Sequence, residues 1–165
     1  MKTSIILILV GVLTTTALPN PSAAQNPCEQ MAQQVLVAFR TNSPEAYVAL
    51  FPSLAEFHDL MDANANVYGE TLEAAKEEFS ARYKNHVLPV VKKSFAAILE
   101  EGSKKGIDWS QINFERVECT TPGKNLSSGS FVIVFSASGK EYRMNISKAF
   151  VLHDEWKVSS EISLI

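Results

Sequence analysis

Three long runs rich in β-branched and aromatic residues, at 131–135, 142–152 and 156–164, close the chain, with only Ser138-Gly139-Lys140 and His153-Asp154-Glu155 between them. Turns that short leave no room for a crossover, so the three runs form an antiparallel meander. With the turns centred on those tripeptides, Phe135 faces Tyr142, Ile133 faces Met144 and Phe131 faces Ile146. Across the second turn Phe150 faces Trp156, Ile146 faces Ser160, Met144 faces Ile162 and Tyr142 faces Leu164. The two-residue pleat puts these on one side of the sheet, and it puts Arg143, Asn145, Ser147, Lys157, Ser159 and Glu161 on the other. A further strand over about 112–120 brings the sheet to roughly four strands. A sheet greasy on one face must be covered there, and the cover has to come from the first half of the chain. Strands of this length twist strongly, and a curved sheet wrapped on helices leaves a pocket at its open end.

That first half reads as helical. Met31, Val35, Leu36 and Phe39 recur on one face of a helix over 27–40. Ser43-Pro44 is a helix start, with serine as the N-cap and proline at the first helical position, and the short helix it opens carries Tyr47, Leu50 and Phe51 until Pro52 stops it. Ser53 with Glu56 three residues on is a capping box opening a third helix through Leu54, Phe57, Leu60 and Met61, with its exit at 63–66. From about Tyr68 the pattern is helical again through Leu72, Ala75, Phe79 and Tyr83. Pro89 has no N–H for the carbonyl of Asn85, so a bend or break is expected at 86–88 before the period resumes at Val91, Phe95, Ile98 and Leu99. The fold class is α+β: N-terminal helices on one face of a curved antiparallel meander. No repeat, low-complexity tract or linker divides it, so residues 25–165 form one domain.

The chain opens with Lys2, an apolar run over 5–13, then threonines, Pro19 and Ser22-Ala23-Ala24. This order of charge, grease and small residues predicts a secretory signal peptide over 1–24 cleaved near Ala24, and hence a secreted or periplasmic domain. A membrane span is the rival reading, but it needs about 20 apolar residues, and the threonines and prolines interrupt the run first. The formal charge is −3, and the leader contains one lysine and no acid, so its loss leaves a domain of −4. With Lys92-Lys93 and Lys104-Lys105 as isolated basic pairs, nucleic acid is not an expected partner. Two cysteines, Cys28 and Cys119, both lie in the mature part. In an oxidising compartment they are expected to pair as a disulfide, closing a loop of about 90 residues worth about 4 kcal/mol in the chain-entropy treatment, with two unpaired buried thiols as the alternative. With no histidine beside them they do not make a metal site.

The helix opening at Ser43-Pro44-Glu45, the approach Gly106-Ile107-Asp108-Trp109, Gly139-Lys140 between long strands and the closing Trp156-Lys157-Val158 together resemble the nuclear-transport-factor-2-like superfamily, a cone-shaped α+β fold also described as cystatin-like. The chain also looks like the small secreted bacterial members. The short extra hairpin many members insert among their helices has no counterpart here. The resemblance implies a pocket but no single activity, because that scaffold hosts enzymes, carriers and interaction modules.

His58 and Asp62, four apart on one helix face, are the only candidate acid–base pair; some enzymes of the resembling fold use such a pair, but a surface i,i+4 contact is the simpler reading. Tyr83, Tyr142, Met144 and Trp156 line the pocket or fill the core. Lys148 and Ser160 interrupt the apolar face: either a bulge at 147–149 turns Lys148 outward, or Lys148 sits on the pocket rim. Asn125-Leu126-Ser127 and Asn145-Ile146-Ser147 match the glycosylation sequon. A phosphate-binding glycine loop, a zinc-protease helix, a nucleophile elbow and a metal-spaced histidine cluster are all missing, so no metal or cofactor is expected. The reading is an exported, non-catalytic domain that binds a small apolar or amphipathic ligand in the sheet pocket. Its alternatives are a periplasmic or extracellular interaction module or accessory subunit, and then a small acid–base enzyme.

Overall fold

The computed structural model describes residues 26–120 and 128–165; the expected leader with its cleavage point and the sequon at Asn125 lie outside them. Helix α1 (Pro27–Arg40) starts where Asn26 Oδ1 accepts the Cys28 N–H at 3.1 Å, and it buries Met31, Ala32, Val35, Leu36 and Phe39. Ser43 Oγ takes the Ala46 N–H at 3.1 Å to open α2 (Pro44–Ala49). Helix α3 (Leu54–Ala63) carries the full capping box: Glu56 N–H donates to Ser53 Oγ at 3.2 Å, and Ser53 N–H donates to the Glu56 carboxylate at 2.7 Å. These caps satisfy first-turn donors that would otherwise need water, which is why helices as short as α2 hold.

Two helical expectations need revision. The chain does not run from Tyr68 into one helix: a single turn, α4 (Ala65–Tyr68), gives way to a 3₁₀ turn at Gly69–Thr71, whose glycine sits at φ +56°, before α5 (Leu72–Arg82). Nor does the helix break before Pro89. The path continues through a π turn at Tyr83–Val87 into α6 (Leu88–Lys104), with the Leu88 N–H reaching the Tyr83 carbonyl. One wide turn absorbs the ring that a regular α-turn would press against the carbonyl four residues back.

The sheet is antiparallel, with strands β1 (Asn113–Thr120), β2 (Ser128–Ala137), β3 (Lys140–Leu152) and β4 (Glu155–Val158) side by side, and with β5 (Ile162–Leu164) pairing β3 beyond β4. The β2–β3 register matches the expected Phe135–Tyr142, Ile133–Met144 and Phe131–Ile146 pairs. Its turn is the two residues Ser138-Gly139, both at positive φ, so Lys140 already pairs with Ala137.

The next pairing differs from expectation. His153 and Asp154 alone form the second turn, at φ 49° and 64°, so Trp156 faces Val151 rather than Phe150. Further along, Ile146 faces Ile162 and Met144 faces Leu164, because residues 159–161 loop out and split the third run into two strands. The cause is a bulge: Ser147 and Lys148 together oppose the single residue Ser130 of β2. Burial follows it, with Met144 and Ile146 inside before the bulge, Lys148 exposed, and Ala149 inside after it.

Phe39 is the hub of the core beneath the helices. Its ring stacks on Trp109 at 4.9 Å between centroids, lies 5.1 Å from Phe95 of α6, and meets Tyr47 of α2 edge-on at 5.5 Å. Trp109 in turn stacks on Phe135 of the sheet at 6.0 Å and donates its indole N–H to the Leu99 carbonyl at 3.0 Å. The indole fits only because α6 has a glycine there: a Cβ on Gly102 would stand 2.1 Å from the Trp109 ring. Gly102→Ala is therefore expected to destabilise the protein by about 1–3 kcal/mol through overpacking, despite alanine's better helix propensity. Urea unfolding followed by tryptophan fluorescence measures it, and an unchanged or raised midpoint contradicts this account.

Candidate functional site

A cavity of about 610 Å³ opens where the helices diverge from the bulged end of the sheet. Phe51 and Pro52 from the α2–α3 junction and Phe57 of α3 form one wall. Val87 from the π turn, with Val90, Val91 and Ser94 of α6, forms a second. Phe150, Val158 and the looped-out Ser159, Ser160 and Glu161 form the third. Three features create the space. Pro52 ends the polypeptide path between two capped helices, the π turn sets the phase of the α6 valines, and the bulge pushes 159–161 out of the ladder. Phe51, Phe57 and Phe150 are half-buried and Val90 is 66% exposed, so apolar surface continues from the interior to the mouth.

Most polar groups here are already committed to the protein. Ser94 Oγ donates to the Val91 carbonyl at 2.8 Å, which leaves the Tyr47 hydroxyl to donate to it at 3.2 Å. Ser160 Oγ accepts the Lys148 N–H at 2.8 Å and donates to the Lys148 carbonyl at 3.1 Å, so this hydroxyl pins the bulge. Ser159 donates its N–H to the same carbonyl at 3.0 Å. Burial first, and then the Glu161 charge, holds the Tyr47 phenol above its usual range, while the bond to Ser94 acts the other way.

Among the residues expected at a pocket, only Ser160 lines this one. Tyr83 is buried and gives its hydroxyl to the Pro52 carbonyl at 3.0 Å. Tyr142 stacks on Phe135 with centroids 5.8 Å apart, and Met144 is fully buried core. Trp156 packs edge-on against Phe131 at 4.9 Å and faces a separate depression shared with Gln30 and Gln34 of α1. Lys148 is turned outward by the bulge.

His58 and Asp62 do not pair. His58 Nε2 lies 3.0 Å from Ser80 Oγ, whose own proton goes to the Lys76 carbonyl at 2.7 Å, so the imidazole is the donor. Asp62 instead meets Lys76 at 2.5 Å, and that bond holds the Lys76 ammonium above its usual range. The sequon at Asn145 sits mid-strand in β3, between Val132 of β2 and Ser163 of β5, not on a loop.

The disulfide is also corrected: Cys28 is a buried free thiol and Cys119 an exposed one. Cys28 lies on the core-facing side of α1 and Cys119 at the solvent-facing end of β1; the two thiols interact but are not at disulfide distance. Burial, followed by the hydrogen bond and charge of Cys28, pushes the Cys119 thiol up to about 12.

Sequence reasoning missed Phe51, Phe57, Phe150, the α6 valines and Glu161 as a set. The sequence pattern places Phe51, Phe57 and Val91 on helix faces and Phe150 and Glu161 on strands and does not single out Val90, and their convergence depends on the π turn and the bulge.

The chain is thus an α+β protein whose helices cover one face of an antiparallel sheet and leave an apolar cavity at its bulged end. No family model matches the sequence, and no curated protein matches it. Among solved structures, a cystatin-like protein from Ruminococcus gnavus ATCC 29149 is similar, with a TM-score of 0.48 and 11% sequence identity over 84% of this chain. The match takes in 44% of that protein, so this chain spans under half of its length. Among the described residues no helix is long and apolar enough to cross a membrane.

The raised Cys119 value gives a pH prediction. The neutral thiol is favoured in the folded state, so its contribution to stability is complete below the ordinary 9.0 and is lost as pH rises toward about 12. Alkylation of Cys119 by iodoacetamide in the folded, reduced protein should therefore keep accelerating above pH 9. At pH 8 it should be slower than in the urea-unfolded chain by at least about tenfold. Equal rates in the two states contradict the assignment.

Proposed function

We propose that this protein is an exported, non-catalytic domain of the nuclear-transport-factor-2-like kind that holds a small apolar or amphipathic ligand in the cavity beside the bulge. The observation that carries the reading is the lining: three half-buried phenylalanines and four valines around about 610 Å³, with the serine hydroxyls bonded internally. A volume in that range suits a small-molecule site, and such sites are mostly apolar with a few polar groups to orient the guest. Export rests on the leader-like residues 1–24.

Catalysis has less support. His58 is engaged with Ser80, Asp62 with Lys76, and neither lines the cavity. An interaction module also has less support, because the outer sheet face carries mutually neutralising charges, Arg116 with Glu141 at 3.1 Å and Arg143 with Glu118 at 2.6 Å. The large exposed apolar residues among those described, Val37, Val67, Val90 and Ile165, are scattered in sequence over the first helix, the α4 turn, α6 and the terminus.

A neutral solvatochromic dye such as Nile red should bind with a blue-shifted emission. Val90→Asp, a change at an exposed mouth position, should weaken that binding by roughly fivefold, the loss of about 1 kcal/mol of apolar contact, while leaving the fold intact. Absence of any dye binding to the wild-type protein, or an unaltered affinity in the variant, argues against this site.

A further inference from the structure

We infer that the cavity's guest carries a protonated amine, which the Glu161 carboxylate receives at the rim. The inference rests on the ligand-binding reading above and specifies the chemistry of the same site. The hydroxyls of Ser94 and Ser160 have already given their protons to backbone carbonyls, and the Pro52 carbonyl already accepts from Tyr83. The Glu161 side chain differs: it forms no hydrogen bond or ion pair with any described residue, although it stands on the lining.

The neighbouring cations do not answer it. Lys157 is taken by Glu56 at 3.1 Å and Glu155 at 3.3 Å, and Lys148 points to solvent without pairing with Glu161. The charge nevertheless bears on the interior, since it is one of the causes that raise the Tyr47 phenol. Glu161 is exposed at the mouth, where an ammonium can reach it in a charge-assisted hydrogen bond while the apolar walls hold the rest of the guest. Phe51, Phe57 and Phe150 border the same cavity, and aromatic rings attract a cation through their faces. A neutral guest leaves the acid without a partner, and a fatty acid sets two negative charges together. An amphiphile with an alkyl or aryl body and one ammonium head satisfies both the walls and the rim.

The test uses three probes of one chain length, decylamine, decanol and decanoate, titrated calorimetrically below their micelle concentrations into the full chain as purified and into Glu161→Gln, with Lys148→Gln as a second variant. Wild type should prefer decylamine over decanoate by at least about tenfold, Glu161→Gln should reduce that ratio to within about twofold while decanol affinity holds, and Lys148→Gln should leave it standing. Decanol binding without an amine preference, or a preference that persists in Glu161→Gln, overturns the inference and leaves the apolar site in place. Failure of all three probes to bind the wild type overturns the apolar site itself, and the inference with it.

Discussion

The helical layer and the sheet meet through Phe39. Its ring touches Tyr47, Phe95 and Trp109, and Trp109 carries the contact on to Phe135. Five segments, from α1 to β2, are thereby fixed to one another through a chain of contacts that starts at a single side chain. Aromatic pairs of this kind add specific geometry to the large area they bury, so they set orientation as well as stability. The rest of the architecture is arranged about that point: α1 lies on the sheet, α6 is held at the distance an indole demands, and the space not filled by this cluster is left at the opposite, bulged end.

What a reader of the sequence sees well is local chemistry. The capped starts at Ser43 and Ser53 and the full extent of α1 are legible because each depends on residues within four positions of one another. The first hairpin is legible because its turn pins its register. The second hairpin is harder. Two consecutive left-handed residues, His153 and Asp154, without a glycine between them do not announce a two-residue turn, and the error of one position moves every later partner. The polar Lys148 on an apolar face signals a bulge as one of two ways out, but the effect on residues 159–161 is not derivable from sequence, because it depends on how Ser160 ties itself to the Lys148 backbone.

The candidate site shows the same limit more sharply. Tyr83, Met144 and Trp156 were sensible lining residues for an undistorted sheet, and each proves to be core or to face elsewhere. The actual lining is assembled by two irregularities, one in a helix and one in a strand, each a single extra residue wide. Neither has a strong local signature: Pro89 signals a disturbance without saying that a π turn resolves it, and Ser147-Lys148 is an ordinary polar pair. The thiols make a related point. Cys28 and Cys119 are brought together by the fold, but nearness in space still leaves open which way each side chain leaves its backbone.

The split of the last run into β4 and β5 bears on how molecules of this chain meet one another at high concentration. A continuous outer strand offers a row of unsatisfied amide groups on which a second copy can add itself, and that is a route to fibrils. Here the border beyond β3 is four residues, an interruption, then three residues, so a foreign strand finds no uninterrupted template. The opposite border, β1, exposes Glu115, Arg116 and Glu118 and is bent by its own register shift between Phe114 and Arg116. Both margins of the sheet are thus unsuited to polymerisation, and the irregularity that hollows the interior also protects the molecule from its own kind.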